Sequence, residues 1–323
     1  MSNVAIGVDV GGTKALALIV ARDGRVLSEV KSATPHDLNE SAGAATASVL
    51  TEQVRELCAR HGLDPSAVPI GIGLPGLMRR DGRLAFAPNL QSVSGADVGA
   101  LLSESLGSSL VHCENDANCA ALAEHEWGAA RGIDDFVMVT LGTGIGGGVF
   151  VDGRLVRGRS GFAGEIGHMV VQARGAACSC GGYGCWERYA SGGGLGRLTR
   201  EAAEAGRLPT LVERRGDVDA VRAEDVTTAA AEGLDEAVVL MKEMGWWLAL
   251  GLANLAAILD AGHFVIGGGL SIASDLVLPS ARGYLVDLVE GYDARPTITV
   301  TSSMFGPRSG AMGAALVAFE RGP

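Results

Sequence analysis

A unit of strand, glycine turn, strand and Asp-Gly-Arg hairpin occurs twice in this chain, and no other feature restricts the fold as strongly. The first copy is VAIGVDVGGTKALALIVARDGRVLSEV from residue 4, and the second is FVMVTLGTGIGGGVFVDGRLVRG from residue 136. Asp152-Gly153-Arg154 follows Asp23-Gly24-Arg25 by 129 residues, and the glycine loops keep nearly that offset. Asp-Gly between apolar runs signals a two-residue hairpin, because both residues tolerate positive φ. Repetition at this spacing predicts two related α/β lobes with a cleft between them. Glycine-flanked hairpins also recur by chance in α/β proteins, so the repeat gains its weight from the motifs it carries.

Between and after the two copies the pattern is mixed. Residues 41–61 are expected to be helical, with Ala44, Val49, Val54, Leu57 and Cys58 near one face. IGIGLPGLMRRDGRLAFAPNL supplies a strand ending at Pro75-Gly76 and a third Asp-Gly turn at 81–82; a short helix over 97–106, the strand LVHCEND and an Ala-rich helix follow. Residues 196–243 are mostly helical, with a polar excursion from Glu213 to Asp219. GWWLALGLANLAAILD is apolar all round, which predicts a buried helix. HFVIGGGLS is expected to be a strand and turn, and residues 309–321 to form a closing helix.

Composition excludes several classes. The 323 residues carry 26 Lys+Arg against 37 Asp+Glu, a net charge of −11, which repels nucleic-acid backbones. Met244 to Leu259, the longest uncharged stretch containing the hydrophobic helix, is interrupted by Gly251 and Asn254 and is too short to span a bilayer comfortably. Met-Ser-Asn-Val lacks the basic start of a signal peptide. Six cysteines in such a length do not make a disulfide scaffold. A cytoplasmic protein without membrane or nucleic-acid partners is expected. Gly is the outlier, 48 residues clustered in short runs, as loops need where backbone must approach a ligand.

The first glycine loop is Asp9-Val10-Gly11-Gly12-Thr13-Lys14. Gly11 and Gly12 let backbone N–H groups face a phosphate, Thr13 adds a hydroxyl, and Asp9 can hold Mg²⁺ directly or through water. The plainer alternative is a tight hairpin with a buried aspartate. Lys14 closes the motif and reads either as a phosphate contact or as an exposed surface side chain. In the second loop, Gly142, Gly144 and Gly147 satisfy G-x-G-x-x-G, yet a Rossmann fingerprint must open a helix, and here the strand VFVDGRLV follows. No Gly-Lys dipeptide occurs, so there is no Walker A loop. What remains is a second phosphate-cradling β-turn, formed by Gly142, Thr143 and Gly144.

Glu114-Asn115-Asp116 stands where a strand passes into a helix. Asn115 or Asp116 could simply cap that helix. Alternatively, Asp116 accepts the proton of an attacking hydroxyl. Gly164-Glu165-Ile166-Gly167-His168 is followed by Cys178, Cys180 and Cys185. One imidazole and three thiolates form a closed tetrahedral Zn²⁺ set. The C-x-C spacing is tighter than in most zinc ribbons, so spacing alone leaves buried thiols as the other reading.

Together DVGGTK, ENDANCAA, TLGTGIGGGVFVDGRLVRG, GEIGHM and CSCGGYGCWERYASG resemble, in order and over essentially the whole chain, the ROK family of bacterial sugar kinases (repressors, open reading frames, kinases). The cysteine motif with its trailing Glu-x-Tyr-Ala-Ser-Gly is most similar to the family's ATP-dependent glucokinases. The resemblance implies an actin/hexokinase-like (ribonuclease H-like) duplicated α/β fold, with two lobes and an interlobe cleft. The expected division is a small lobe over 1–115, completed by the helix 308–323, and a large lobe over 116–307 carrying zinc.

It further implies phosphorylation of a hexose 6-hydroxyl by ATP with Mg²⁺, glucose being the expected acceptor. N-acetylglucosamine, N-acetylmannosamine or fructose kinases are the alternatives within the family, and a sugar-responsive regulator lies outside the kinases. Because the phosphate motif begins at Asp9, the N-terminal DNA-binding domain of the family's repressors is not expected. By resemblance Asp116 is the base, and Asn89, Asn115, Glu165, His168 and Glu187 bind the sugar. Gly267, Gly268 and Gly269 match an adenosine-contact loop. His168, Cys178, Cys180 and Cys185 hold a structural zinc that orients the His168 ring. A homodimer is implied as well. The chain departs from the glucokinase pattern after Pro88-Asn89-Leu90, where Gln-Ser-Val-Ser replaces the usual Pro-Gly-Trp-like run; sugar selectivity is what that departure touches.

Overall fold

In the computed structural model, which describes residues 3–36, 43–269 and 274–321, each copy of the repeated unit supplies three strands of a five-stranded sheet. The first contains β1 (Val4–Val10), β2 (Lys14–Ala21), β3 (Val26–Ala33), β4 (Ile70–Leu74) and β7 (Val111–Asn115), in the order β3-β2-β1-β4-β7. The short strands β5 (Leu77–Met78) and β6 (Leu84–Phe86) form a separate hairpin. The second sheet contains β8 (Phe136–Leu141), β9 (Ile145–Val151), β10 (Arg154–Leu155), β11 (His263–Gly267) and β12 (Thr299–Ser302), in the order β10-β9-β8-β11-β12. Each order begins with a reversed run of three consecutive strands and continues with two later ones, so the duplication read from the loops extends to the topology. Both φ values at Asp152 (51°) and Gly153 (68°) are positive, as a two-residue type I′ turn demands. At Asp23-Gly24 only Gly24 (85°) is positive and the Ala21 N–H bonds to the Arg25 carbonyl, so the first hairpin has a three-residue loop and not the expected two-residue one.

Alternation on β1 and β2 separates two cores. Ile6, Val8, Val10, Ala15, Ala17 and Ile19 face one way, into a cluster with Leu50, Val54 and Leu57 of α1 (Ala44–His61) and Leu102 of α2 (Val98–Leu106). Ala5, Leu16, Leu18 and Val20 face the other way. They pack with Ala123 of α3 (Asp116–Glu126) and Ala311, Met312, Ala315 and Ala318 of α10 (Ser309–Arg321). On this second face β1 and β4 present Gly7, Gly71 and Gly73, which lets α10 lie directly on the backbone. A Cβ at Gly7 would stand 1.8 Å from the Ala311 carbonyl oxygen, and one at Gly71 1.8 Å from that of Ala314. Asp9 shares the parity of Ala5 and Gly7 and so points to the face that α3 and α10 cover.

The remaining helices are α4 (Glu187–Ala190), α5 (Gly192–Glu204), α6 (Pro209–Arg215), α7 (Ala223–Ala231), α8 (Asp235–Leu259) and α9 (Ser274–Leu288). The expectation of an all-round buried α8 needs correction. Met244, Leu248, Leu252 and Ala256 are buried, but Val239 and Ile258 are 59% and 71% exposed, so the helix has a core face and an apolar outer face. No described helix is long and apolar enough to cross a membrane.

The chain forms two compact units. Unit 1 comprises Met1–Met138, Gly147–Gly164 and Ser303–Pro323, and unit 2 comprises Val139–Gly146 and Glu165–Ser302. This partition is cut differently from a boundary at 115/116: α3, β10 and most of β9 fall in unit 1, although β9 and β10 are strands of the second sheet.

Candidate active site

In unit 1 the parallel pairing of β1, β4 and β7 puts Asp9 opposite Gly73 and Gly73 opposite Glu114. Two residues beyond Glu114 the chain enters α3, whose first residue is Asp116. Gly73 separates the two aspartates: a Cβ there would lie 3.4 Å from the Asp116 Cα and 3.6 Å from Asp9 Oδ1. The first turn of α10 closes over Asp9, since a Cβ at Gly310 would stand 2.6 Å from the Asp9 Cγ. Burial, and secondarily the Asp116 charge, push the Asp9 carboxyl up to about 7. Burial raises Asp116 to about 6, although the backbone N–H of Ala117, 2.8 Å from Oδ1, favours its charged form. These are two largely buried carboxyls that titrate near neutrality, a combination that suits proton transfer and cation binding.

Asn115 caps α3, as the plainer reading of the motif required: its Oδ1 accepts from the Asn118 N–H at 2.9 Å. Its Nδ2 donates to the Gly76 carbonyl at 3.2 Å, which leaves one amide hydrogen and one lone pair for a ligand. Glu114, 5% exposed, had no role in the sequence reading. It accepts from the Asn115 N–H (3.0 Å), Asn118 Nδ2 (3.1 Å) and Arg157 Nε (2.7 Å). The signal was there, a carboxylate inside the Glu-Asn-Asp motif, but its partner Arg157 is 43 residues away.

The first glycine loop is pinned by Gly11 N–H to the Lys14 carbonyl (3.0 Å) and by the Thr34 hydroxyl to the Gly11 carbonyl (2.8 Å). Thr13 and Lys14 are exposed. Asn89 is exposed too, and its carbonyl oxygen lies 3.9 Å from where a Gly12 Cβ would stand, which brings it to this loop.

Unit 2 holds the other candidates. Its glycine turn is closed by Gly142 N–H to the Gly144 carbonyl (3.0 Å), and Thr143 at its tip is exposed as Thr13 is. The Ser191 hydroxyl and the Gly193 N–H both donate to the Thr143 carbonyl, at 2.9 and 3.1 Å, so the N-terminus of α5 holds the turn. Gly268, with φ +89°, backs the same region: a Cβ there would lie 2.5 Å from the Leu141 carbonyl oxygen. Gly267 is buried and Gly269 exposed.

His168, Cys178, Cys180 and Cys185 converge, with one donor atom from each lying within 4.8 Å of all the others. His168 Nδ1 is 3.7 Å from Cys178 Sγ, and Cys180 Sγ is 3.7 Å from Cys185 Sγ. Tetrahedral thiolates at a Zn–S bond of about 2.3 Å stand ~3.7–3.8 Å apart, so the donor set fits zinc in type, number and spacing. Nδ1 faces the thiols, which turns Nε2 towards Glu165, 3.9 Å from its Oε2. Glu187, 5% exposed at the start of α4, lies beside the cluster with Oε1 3.0 Å from Cys178 Sγ. Trp186 is fully buried behind it, its indole N–H donating to the Trp247 carbonyl at 2.7 Å.

The chain is 34% identical to a glucokinase of Streptomyces coelicolor over 326 residues, an alignment covering 99% of each protein. It is 33% identical to a glucokinase of Thermotoga maritima over 318 residues, covering 98% of this chain and 97% of that one. Among solved structures, a ROK family glucokinase from Streptomyces griseus in complex with glucose and AMPPNP matches with a TM-score of 0.86. Its identity is 37%, over 98% of this chain and 99% of that chain. The ROK family model matches residues 5–321, taking in elements from β1 to α10, and the chain therefore belongs to the ROK family.

Proposed function

We propose that this protein transfers the γ-phosphoryl group of ATP to the 6-hydroxyl of a hexose, glucose foremost. The observation that carries this reading is the Asp116 carboxyl, fixed at the start of α3 beside Asp9 and titrating near 6. The glucokinase relatives support it at nearly full length on both sides.

In this proposal the hexose O6 attacks the γ-phosphorus, the bond from that phosphorus to the β,γ-bridging oxygen breaks, and ADP leaves. The hydroxyl proton passes to the Asp116 carboxylate and then to solvent. Phosphoryl transfer proceeds through a loose transition state, so orienting the hydroxyl matters more than a strongly basic carboxylate. Asn115 offers its remaining amide hydrogen to the sugar. Asn89, Glu165, His168 and Glu187 bind the other hydroxyls, each of which donates and accepts. Gly11, Gly12, Thr13 and Lys14 contact nucleotide phosphates, as do Gly142, Thr143 and Gly144, while Gly267, Gly268 and Gly269 contact adenosine.

Mg²⁺, which Asp9 would hold, supplies neutralisation of the phosphate charge. Zn²⁺ on His168, Cys178, Cys180 and Cys185 is structural, because the protein provides all four ligands. Its use is to fix the His168 ring so that Nε2 is presented to sugar. A cytoplasmic homodimer completes the proposal and rests on the family resemblance. ADP release across a panel of hexoses and N-acetylated amino sugars tests the reading: release with glucose and Mg²⁺ supports it, and no release with any hexose overturns it.

A further inference from the structure

Unit 1 contains a cavity of about 200 Å³ with an unusual charge, lined by residues other than those assigned to ATP and sugar and bordering Asn115 through Glu114. Arg79 and Arg80, just after β5, Arg157, after β10, and Arg321, at the end of α10, all line it. Only one carboxylate, Glu114, shares the wall, and it is already engaged by Arg157 Nε at 2.7 Å. The Cys113 thiol beside it is pushed up to about 12 by burial and stays neutral. Arg80 donates through Nε to the Gly158 carbonyl at 3.0 Å, while Arg79 and Arg321 have no ion pair among the described residues. Four arginines and one glutamate line the cavity, Arg79, Arg80 and Arg321 being exposed, so its lining carries a formal excess of three positive charges on a chain whose net charge is −11.

Such an excess is costly to keep together unless an anion shares it. Guanidinium forks match the paired oxygens of a phosphate, and a lining with several arginines favours a dianion over a monoanion. A cavity of about 200 Å³ has room for a phosphate group with a short carbon skeleton. Met78 and Gly161 complete the lining without adding charge.

We infer that this cavity is a second anion site, which takes a phosphate dianion, either inorganic phosphate or a small phosphate monoester. The inference stands on the arginine cluster and is independent of the kinase assignment. Isothermal titration of the full chain with inorganic phosphate, and separately with glycerol 3-phosphate, at constant ionic strength tests it. The comparison is with the double variant Arg79→Ala/Arg321→Ala, whose substitutions lie outside the proposed catalytic and sugar-binding residues. The expected result is binding to the wild-type protein, weakened at least tenfold in the double variant, with kcat and KM for glucose unchanged in phosphate-free buffer. Binding of both probes assigns the site to the phosphate group itself, and binding of the ester alone assigns it to a monoester. Absence of binding by both probes at millimolar concentration overturns the proposal. So does undiminished binding in the double variant, which would place the anion on the nucleotide loops instead.

Discussion

Asp9, on β1, and Asp116, the first residue of α3, both border Gly73 of β4, and each titrates above an ordinary aspartate. A Cβ at position 73 would stand in van der Waals contact with the Asp116 Cα (3.4 Å) and Asp9 Oδ1 (3.6 Å). β4 carries large residues on one face (Ile70, Ile72, Leu74) and glycine on the face turned to the two aspartates.

The raised pKa values set a pH dependence. The proposed base must be ionised, so kcat/KM should fall on the acid side with a midpoint near pH 6, the Asp116 value. For stability the sign is the reverse. A carboxyl whose folded pKa exceeds its unfolded one stabilises fully below the unfolded value near 4, and that contribution is lost as pH rises through 6 to 7. The ligand-free thermal midpoint should lose more between pH 5 and 8 in the wild-type protein than in Asp9→Asn/Asp116→Asn. Equal losses in the two proteins would contradict the assignment.

Gly310→Ala isolates the role of Asp9. Alanine is the better helix former by about 1 kcal/mol, but its Cβ would meet the Asp9 carboxylate at 2.6–2.9 Å, so the clash should dominate. KM for Mg·ATP should rise about tenfold, as a loss of ~1.4 kcal/mol would give, while KM for glucose stays unchanged. Steady-state kinetics with each substrate varied in turn check this.

Zinc should be present at one ion per chain by elemental analysis of protein purified without chelator. Stripping it, or Cys185→Ser, should raise KM for glucose more than KM for ATP and lower the thermal midpoint, because His168 and Glu187 are held at the cluster. An unchanged glucose KM in metal-free protein would remove zinc from the sugar site.

Glu124 anchors α10. Fully buried at the end of α3, it accepts from the N–H groups of Ala129 (2.9 Å), Met304 (3.0 Å) and Phe305 (3.1 Å) and from the Ser309 hydroxyl (2.9 Å). Glu124→Gln turns an amide donor towards donors, which should cost on the order of 2–3 kcal/mol and lower the thermal midpoint. An unaltered midpoint would show that solvent takes over the freed groups.

The legible parts of this molecule were those with local chemistry. Asp-Gly turns, paired glycine loops and the Cys-x-Cys cluster are constraints a few residues long, and the duplicated sheets follow from them. Glu114–Arg157 and Glu124 with Met304 were not legible, because each joins residues far apart in sequence whose types are ordinary. The glycines at 7, 71 and 310 were visible only as composition. What they do, admitting α10 to the sheet and to Asp9, depends on which helix covers which face. On α8, the apolar run hid its outer face because its periodicity is weak at the C-terminal end, where Ile258 and Leu259 are exposed.

Asp116→Asn is the substitution on which the account rests most heavily. It keeps the size of the side chain and an oxygen for the Ala117 N–H, and removes only the ability to take a proton. ADP release with saturating glucose and Mg·ATP should fall by about 10²–10⁴-fold, with glucose affinity and thermal midpoint held close to wild type. Turnover within a few-fold of the wild-type enzyme, in a variant that still binds glucose, would contradict it.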